Sequence, residues 1–239
     1  MARTTTGSVV EANKPPDMRV PNNIPSPGAR AEINRQRLYL VTPTLDDPGV
    51  LNAELEKALG AADVAAVLLR LADGGERALI ERAKAVAAIV QRHDVALVLD
   101  GRPEIAARAG VDGAHLTGIQ TFAAAFAMLK PDRIAGAGGL RSRHDAMLAA
   151  ETGADYVMFG DPDRQGRRPG FEELKERLTW WTELFEIPCV AYAASEQEIE
   201  PLARTGADFL ALGEWIWREP DGAAGAAAAA AAKLAEPAA

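Results

Sequence analysis

Short apolar runs alternate along most of this chain with longer stretches in which apolar residues recur every three to four positions. The runs cover 38–42, 64–71, 96–99, 113–116, 133–137, 156–159, 189–193 and 209–212. Each is brief and almost continuously apolar, the pattern of a strand buried on both faces of a parallel sheet. Between them, 76–92 carries Leu79, Ile80, Ala83, Val86, Ala87 and Val90 on one face of a 3.6-residue period, which predicts an amphipathic helix. Strand and helix alternate with no hairpin signal, so the sheet is expected to be parallel. Eight such units predict closure into a (β/α)8 TIM barrel of the α/β class over 36–220.

The two ends break the pattern. Residues 1–35 are rich in Pro, Asn, Thr and Ser, as in Lys14-Pro15-Pro16 and Pro25-Ser26-Pro27-Gly28, and read as a disordered tail. Residues 221–239 are an alanine tract, read as a last helix or tail that docks weakly and frays for want of apolar bulk.

Composition narrows the function. The chain has 239 residues, 48% apolar but only 5% aromatic, so Ala, Val, Leu and Ile must build the core. A formal net charge of −8 argues against nucleic acid as a partner. The single cysteine, Cys189, excludes an internal disulfide and a cysteine-built zinc site, and it reads as a buried strand residue. No apolar run reaches the ~18 residues of a membrane span, so no membrane partner is expected and the cytoplasm is the expected location. Trp180-Trp181 and Trp215-x-Trp217 suit helix or barrel packing, or a homo-oligomer interface.

Four segments echo one another. Ala62-Asp63-Val64, Gly110-Val111-Asp112-Gly113, Gly153-Ala154-Asp155-Tyr156 and Gly206-Ala207-Asp208-Phe209 precede the second, fourth, sixth and eighth runs. Glycine supplies the left-handed residue that closes a helix, and the aspartate is expected to bond local backbone amides. All four aspartates then fall on the N-terminal face, which in this architecture serves stability.

Leu38-Tyr39-Leu40-Val41-Thr42, Gly110-Val111-Asp112-Gly113-Ala114-His115-Leu116 and the two later Gly-Ala-Asp segments together resemble the strand landmarks of the thiamine phosphate synthase family, in that family's order over about 37–217. The resemblance implies a small phosphorylated ligand and a transferase of thiamine biosynthesis. In that reaction hydroxymethylpyrimidine diphosphate ionises, loses magnesium-bound diphosphate, and is captured by the nitrogen of a thiazole phosphate. Such chemistry needs charge stabilisation and positioning more than a nucleophile.

Carried over one position at a time, the family's tools are thinned. Its Gln-x-Arg-x-Lys reads Leu68-Leu69-Arg70-Leu71-Ala72, keeping Arg70. Its Asn-Asp-Arg reads Asp100-Gly101-Arg102, and the Gly-Gln-Glu-Asp after His115-Leu116 reads Thr117-Gly118-Ile119-Gln120. Both expected Mg²⁺ carboxylates are therefore replaced, and metal dependence is expected to be weakened or lost, with Asp100 the remaining candidate ligand. Gly136-Ala137-Gly138-Gly139-Leu140 lacks the family's Ser and His. The phosphate-binding Gly-Gly reads Ala193-Ala194, and Gly213 is followed by Glu214, which opposes a phosphate if it faces inward.

The candidate catalytic residues are thus Arg70 and Asp100. The candidate phosphate-binding set is Arg70, Arg102, His115, Gly138, Gly160, Arg164, Ala193, Ala194 and Gly213. Arg70 reads as an anion ligand or a salt-bridge partner, Asp100 as a ligand or a cap for the helix starting at Pro103, and His115 as a hydrogen-bonded structural residue or an acid–base group. The segment 161–168 holds two acids and three arginines and reads as a solvated loop or a rewired anion or metal-phosphate site. Three functions stay open: the synthase, a non-catalytic or regulatory phosphate-binding paralogue, and a thiazole tautomerase-like isomerase.

Overall fold

The alternating pattern closes into eight parallel strands arranged in chain order. A computed structural model describes residues 36–163 and 165–235. The strands are β1 (Arg37–Leu45), β2 (Val64–Leu71), β3 (Ala96–Asp100), β4 (Gly113–Thr117), β5 (Ile134–Gly138), β6 (Tyr156–Phe159), β7 (Cys189–Ala193) and β8 (Phe209–Leu212). β8 pairs back onto β1 from Arg37 opposite Phe209 to Leu40 opposite Leu212, which completes the (β/α)8 barrel. The helices are α1 (Gly49–Ala61), α2 (Glu76–Val90), α3 (Pro103–Ala109), α4 (Ile119–Leu129), α5 (Arg143–Thr152), α6 (Phe171–Leu184), α7 (Ile199–Ala203) and α8 (Gly222–Ala235). The segment 1–35 and residues 236–239 lie outside the described residues. Among the described residues no helix is long and apolar enough to cross a membrane.

The two-residue period of each strand divides the core in two. Leu38 and Leu40, Val67 and Leu69, Leu97 and Leu99, and Val157 and Phe159 pack with the helices. Tyr39 and Val41, Ala66 and Leu68, Ala96 and Val98, and Tyr156 and Met158 fill the barrel interior. Large inward side chains meet small ones. A Cβ on Gly136 would come within 2.1 Å of the Tyr156 ring.

The repeated aspartates act between strands, which corrects the expectation of local bonds. Asp112 Oδ2 accepts from Leu97 N at 2.8 Å, Asp155 Oδ2 from Ala135 N at 2.7 Å and Asp208 Oδ2 from Cys189 N at 2.8 Å. Each of these three aspartates thus holds an amide near the start of the preceding odd strand. Asp63 instead accepts from the Arg37 side chain at 2.8 Å.

The alanine tract forms the last helix. α8 packs along α1 with Ala223, Ala227 and Ala230 fully buried, and Ala223 N donates to Glu54 Oε1 at 3.0 Å. Small side chains give little area per residue but allow two helices to approach closely, so the tract docks along its length.

Candidate active site

Beyond the apolar layer, the inward parity of the strands reaches the C-terminal mouth, where this architecture does its chemistry. After Leu68 comes Arg70, after Val98 comes Asp100, and on β4 His115 is followed by Thr117. With Thr121 of α4 and the segment after β6, these residues line a cleft of about 430 Å³.

Arg70 stands between two carboxylates. Its Nε donates to Asp100 Oδ2 at 3.1 Å and its Nη1 to Glu214 Oε1 at 2.7 Å. Nη2 has no hydrogen-bond partner among the described residues. Burial works against the guanidinium charge, but Asp100, Tyr192 and Glu214 outweigh it and raise the pKa. The one-residue offset of Asp100 from the family pattern leaves it on the same parity as Ala96 and Val98, facing Arg70. It does not cap α3, whose first turn receives no side-chain cap and follows Arg102 in the left-handed conformation. Arg102 itself pairs with Asp73.

His115 is buried and hydrogen-bonded. Its Nδ1 lies 2.9 Å from Tyr156 Oη, which lies 2.9 Å from Tyr39 Oη. Its Nε2 lies 3.8 Å from Asp161 Oδ2, an atom that accepts from Gly139 N at 2.8 Å. Burial pushes the Tyr39 and Tyr156 hydroxyls well above their ordinary pKa. Gly138 gives this group its room, because a Cβ there would sit 2.3 Å from His115 Nε2 and 2.6 Å from Asp161 Oδ2.

The β7–β8 side is already satisfied from within. Gly213 N donates to Ala193 O at 3.0 Å, Trp215 Nε1 to the same oxygen at 3.1 Å, and Ala194 N to Glu198 Oε2 at 2.7 Å. Ala193, Ala194 and Gly213, expected as phosphate donors, do not line the cleft. Glu198 also holds Arg168, whose Nε donates to Gly160 O at 2.6 Å, so Gly160 contributes an acceptor here.

The segment after β6 is ordered around Asp163. Its Oδ1 accepts from Gln165 N and Arg167 N, while its Oδ2 accepts from Arg167 Nη2 at 2.8 Å. These bonds, the Arg167 side chain foremost, lower the Asp163 pKa to about 2. Arg164 lies outside the described residues. Cys189 is buried in β7, and Trp181 stacks on Phe185 at 4.1 Å, both as packing.

Mg²⁺ requires hard, preferably anionic oxygens. Asp100 Oδ2 is engaged by Arg70, position 101 has no side chain, and Gln120 is an exposed amide on α4. Among the described residues no three His, Cys, Asp or Glu side chains gather to hold a metal. The side chains present do not fit a protein-built Mg²⁺ site.

The motifs do not single out Tyr39 and Tyr156 as site residues, and Asp161 reads only as one of the two acids of the segment 161–168. The signal that points to the tyrosines is parity. Each occupies an inward strand position, and Gly136 on β5 leaves space facing Tyr156.

Comparison with known proteins agrees with this architecture. A model of the thiamine monophosphate synthase family matches residues 38–216. The thiamine-phosphate synthase of Rhodospirillum centenum is 43% identical over 193 residues, covering 80% of this chain and 93% of that one. That of Hyphomonas neptunium is 38% identical over 206 residues, covering 80% and 90%. The solved thiamine phosphate pyrophosphorylase of Pyrococcus furiosus shares the fold with a TM-score of 0.67 at 23% identity, covering 84% of this chain and 96% of that one. With the barrel, the cleft at its mouth and these relatives together, the chain belongs to the thiamine monophosphate synthase family.

Proposed function

We propose that the chain joins hydroxymethylpyrimidine diphosphate to a thiazole phosphate at this cleft, releasing diphosphate. The observation that carries this reading is Arg70, a half-buried guanidinium at the mouth whose Nη2 is still available to an anion. In the reaction the C–O bond to diphosphate breaks, the diphosphate leaves with the electron pair, and the thiazole nitrogen forms the new C–N bond. Arg70 would stabilise charge developing on the leaving oxygens, and Arg102 at the cleft rim would add to the field. His115, Thr117 and Thr121 supply polar groups to orient the pyrimidine.

Asp100 and Glu214 have opposing effects. Both hold Arg70 in place and both repel an incoming phosphate. Asp100 is therefore assigned a positioning role toward Arg70. The family works with Mg²⁺, but the side chains here do not fit a protein-built site, so no step is assigned to a metal.

A coupled assay with both substrates and Mg²⁺, run on wild type and Arg70→Ala, tests the reading. Turnover should be present in the wild type. A charge-assisted hydrogen bond contributes roughly 1.5–3 kcal/mol, so Arg70→Ala should lose about tenfold to a hundredfold in kcat/KM. Wild-type protein that binds pyrophosphate yet never turns over would favour a non-catalytic phosphate-binding paralogue. The pairing of Arg70 with two carboxylates is the observation on that side.

A further inference from the structure

Tyr39, Tyr156 and His115 form a buried chain of hydrogen bonds inside the barrel. Tyr39 Oη bonds to Tyr156 Oη at 2.9 Å and has no other hydrogen-bond partner among the described residues. Tyr156 Oη also bonds to His115 Nδ1 at 2.9 Å. Both tyrosines are fully buried, and that burial keeps both hydroxyls protonated. If Tyr156 donates to Nδ1, it can accept from Tyr39, and both hydroxyl protons lie in hydrogen bonds. If Nδ1 carried a proton, only one of the two hydroxyl protons could lie in the Tyr39–Tyr156 bond, and the other would have no hydrogen-bond partner among the described residues. An unmatched buried donor disfavours that arrangement by roughly tenfold to a hundredfold in population.

We propose that Tyr156, by donating to Nδ1, fixes His115 in the Nε2–H tautomer, so that Nε2–H offers a hydrogen-bond donor to an acceptor atom of the bound substrate. That acceptor is a phosphate oxygen or an unprotonated ring nitrogen. Tyr156 is a positioning residue. It acts through His115, and Gly136 leaves room for the Tyr156 ring as Gly138 does for His115. Asp161 does not consume the donor. Its Oδ2 is 3.8 Å from Nε2, beyond hydrogen-bond length, and is already used by Gly139 N. The tautomer follows from the proton count alone, whereas the donor role rests on the proposed function of the cleft.

Nitrogen NMR of the full chain labelled at its 3 histidines tests both parts. His115→Gln identifies the His115 signals. Wild type at neutral pH should show a protonated Nε2 and a bare, hydrogen-bonded Nδ1. Tyr39→Phe should keep that form, because Tyr156 still has a proton to donate. Tyr156→Phe should release the ring into both tautomers. A protonated Nδ1 in wild type, or an unchanged tautomer in folded Tyr156→Phe, overturns the proposal. If Tyr156→Phe does not fold, the wild-type and Tyr39→Phe spectra decide it, with a protonated Nδ1 in either overturning it.

Hydroxymethylpyrimidine diphosphate should then move the Nε2–H resonance of the wild type. Binding seen elsewhere in the spectrum with that resonance unmoved overturns the donor role. No binding at all overturns the proposed function and the donor role with it, while the tautomer assignment stands on the ligand-free spectra.

Discussion

Arg70 meets Asp100 and Glu214 before it meets any ligand, so anion binding at the mouth is a competition with internal carboxylates. Glu214 is about a third exposed, with a side-chain accessibility of 35%, so solvent screens much of its repulsion. Glu214→Gln keeps a hydrogen-bond acceptor and removes the charge. It should tighten pyrophosphate binding by about two- to fivefold, read by calorimetry, and weaker binding would contradict the competition. Gly138 is the other decisive single position. A methyl group there has no space between His115 and Asp161, so Gly138→Ala should cost about 1–3 kcal/mol in thermal unfolding. It should also displace His115 from the cleft. Unchanged stability would show that the pair can move apart freely.

Among the elements, the aspartate belt and the segment after β6 show how short-range sequence produces longer-range structure. Asp112 reaches across to Leu97 N from the turn before β4. Asp112→Ala leaves that amide without its acceptor and should cost about 1–3 kcal/mol in urea unfolding. No loss would mean that water replaces the carboxylate. Asp163 organises its loop as an anion with a folded-state pKa of about 2, below its ordinary carboxylate value. A depressed acid contributes stability above its unfolded pKa and loses it as pH falls through the folded one. The loop should therefore loosen between about pH 4 and about pH 2, seen as faster exchange of the Gln165 and Arg167 amides. Exchange that stays flat across that window would sink the assignment. The echo of Gly-x-Asp was visible in the sequence, but its partners were not, because parallel pairing brings together residues about 15 to 20 positions apart.

For the whole molecule, the barrel depends on where small side chains are placed. α8 covers α1 with fully buried alanines, so Ala227→Leu should overpack the interface and lower stability by about 1–3 kcal/mol. A neutral or stabilising outcome would mean that α8 docks loosely after all. The apolar runs and their period were enough to determine eight strands, their parallel order and the closed barrel, since burial on both faces leaves few alternatives. A strand-end position directed Arg70 to the mouth, whereas the face taken by Asp100, one residue off the family's carboxylate, was settled only by the fold. Only the tertiary structure decided what those side chains meet. Arg70 finds Asp100 30 residues away and Glu214 144 residues away. The amides of Ala194 and Gly213 are taken by Glu198 and Ala193, and Tyr39 reaches His115 through Tyr156. The physical reason is that periodicity reports a residue's orientation relative to its own strand. Hydrogen bonds and charge pairs at the mouth depend on distances between strands, which closure of the barrel sets.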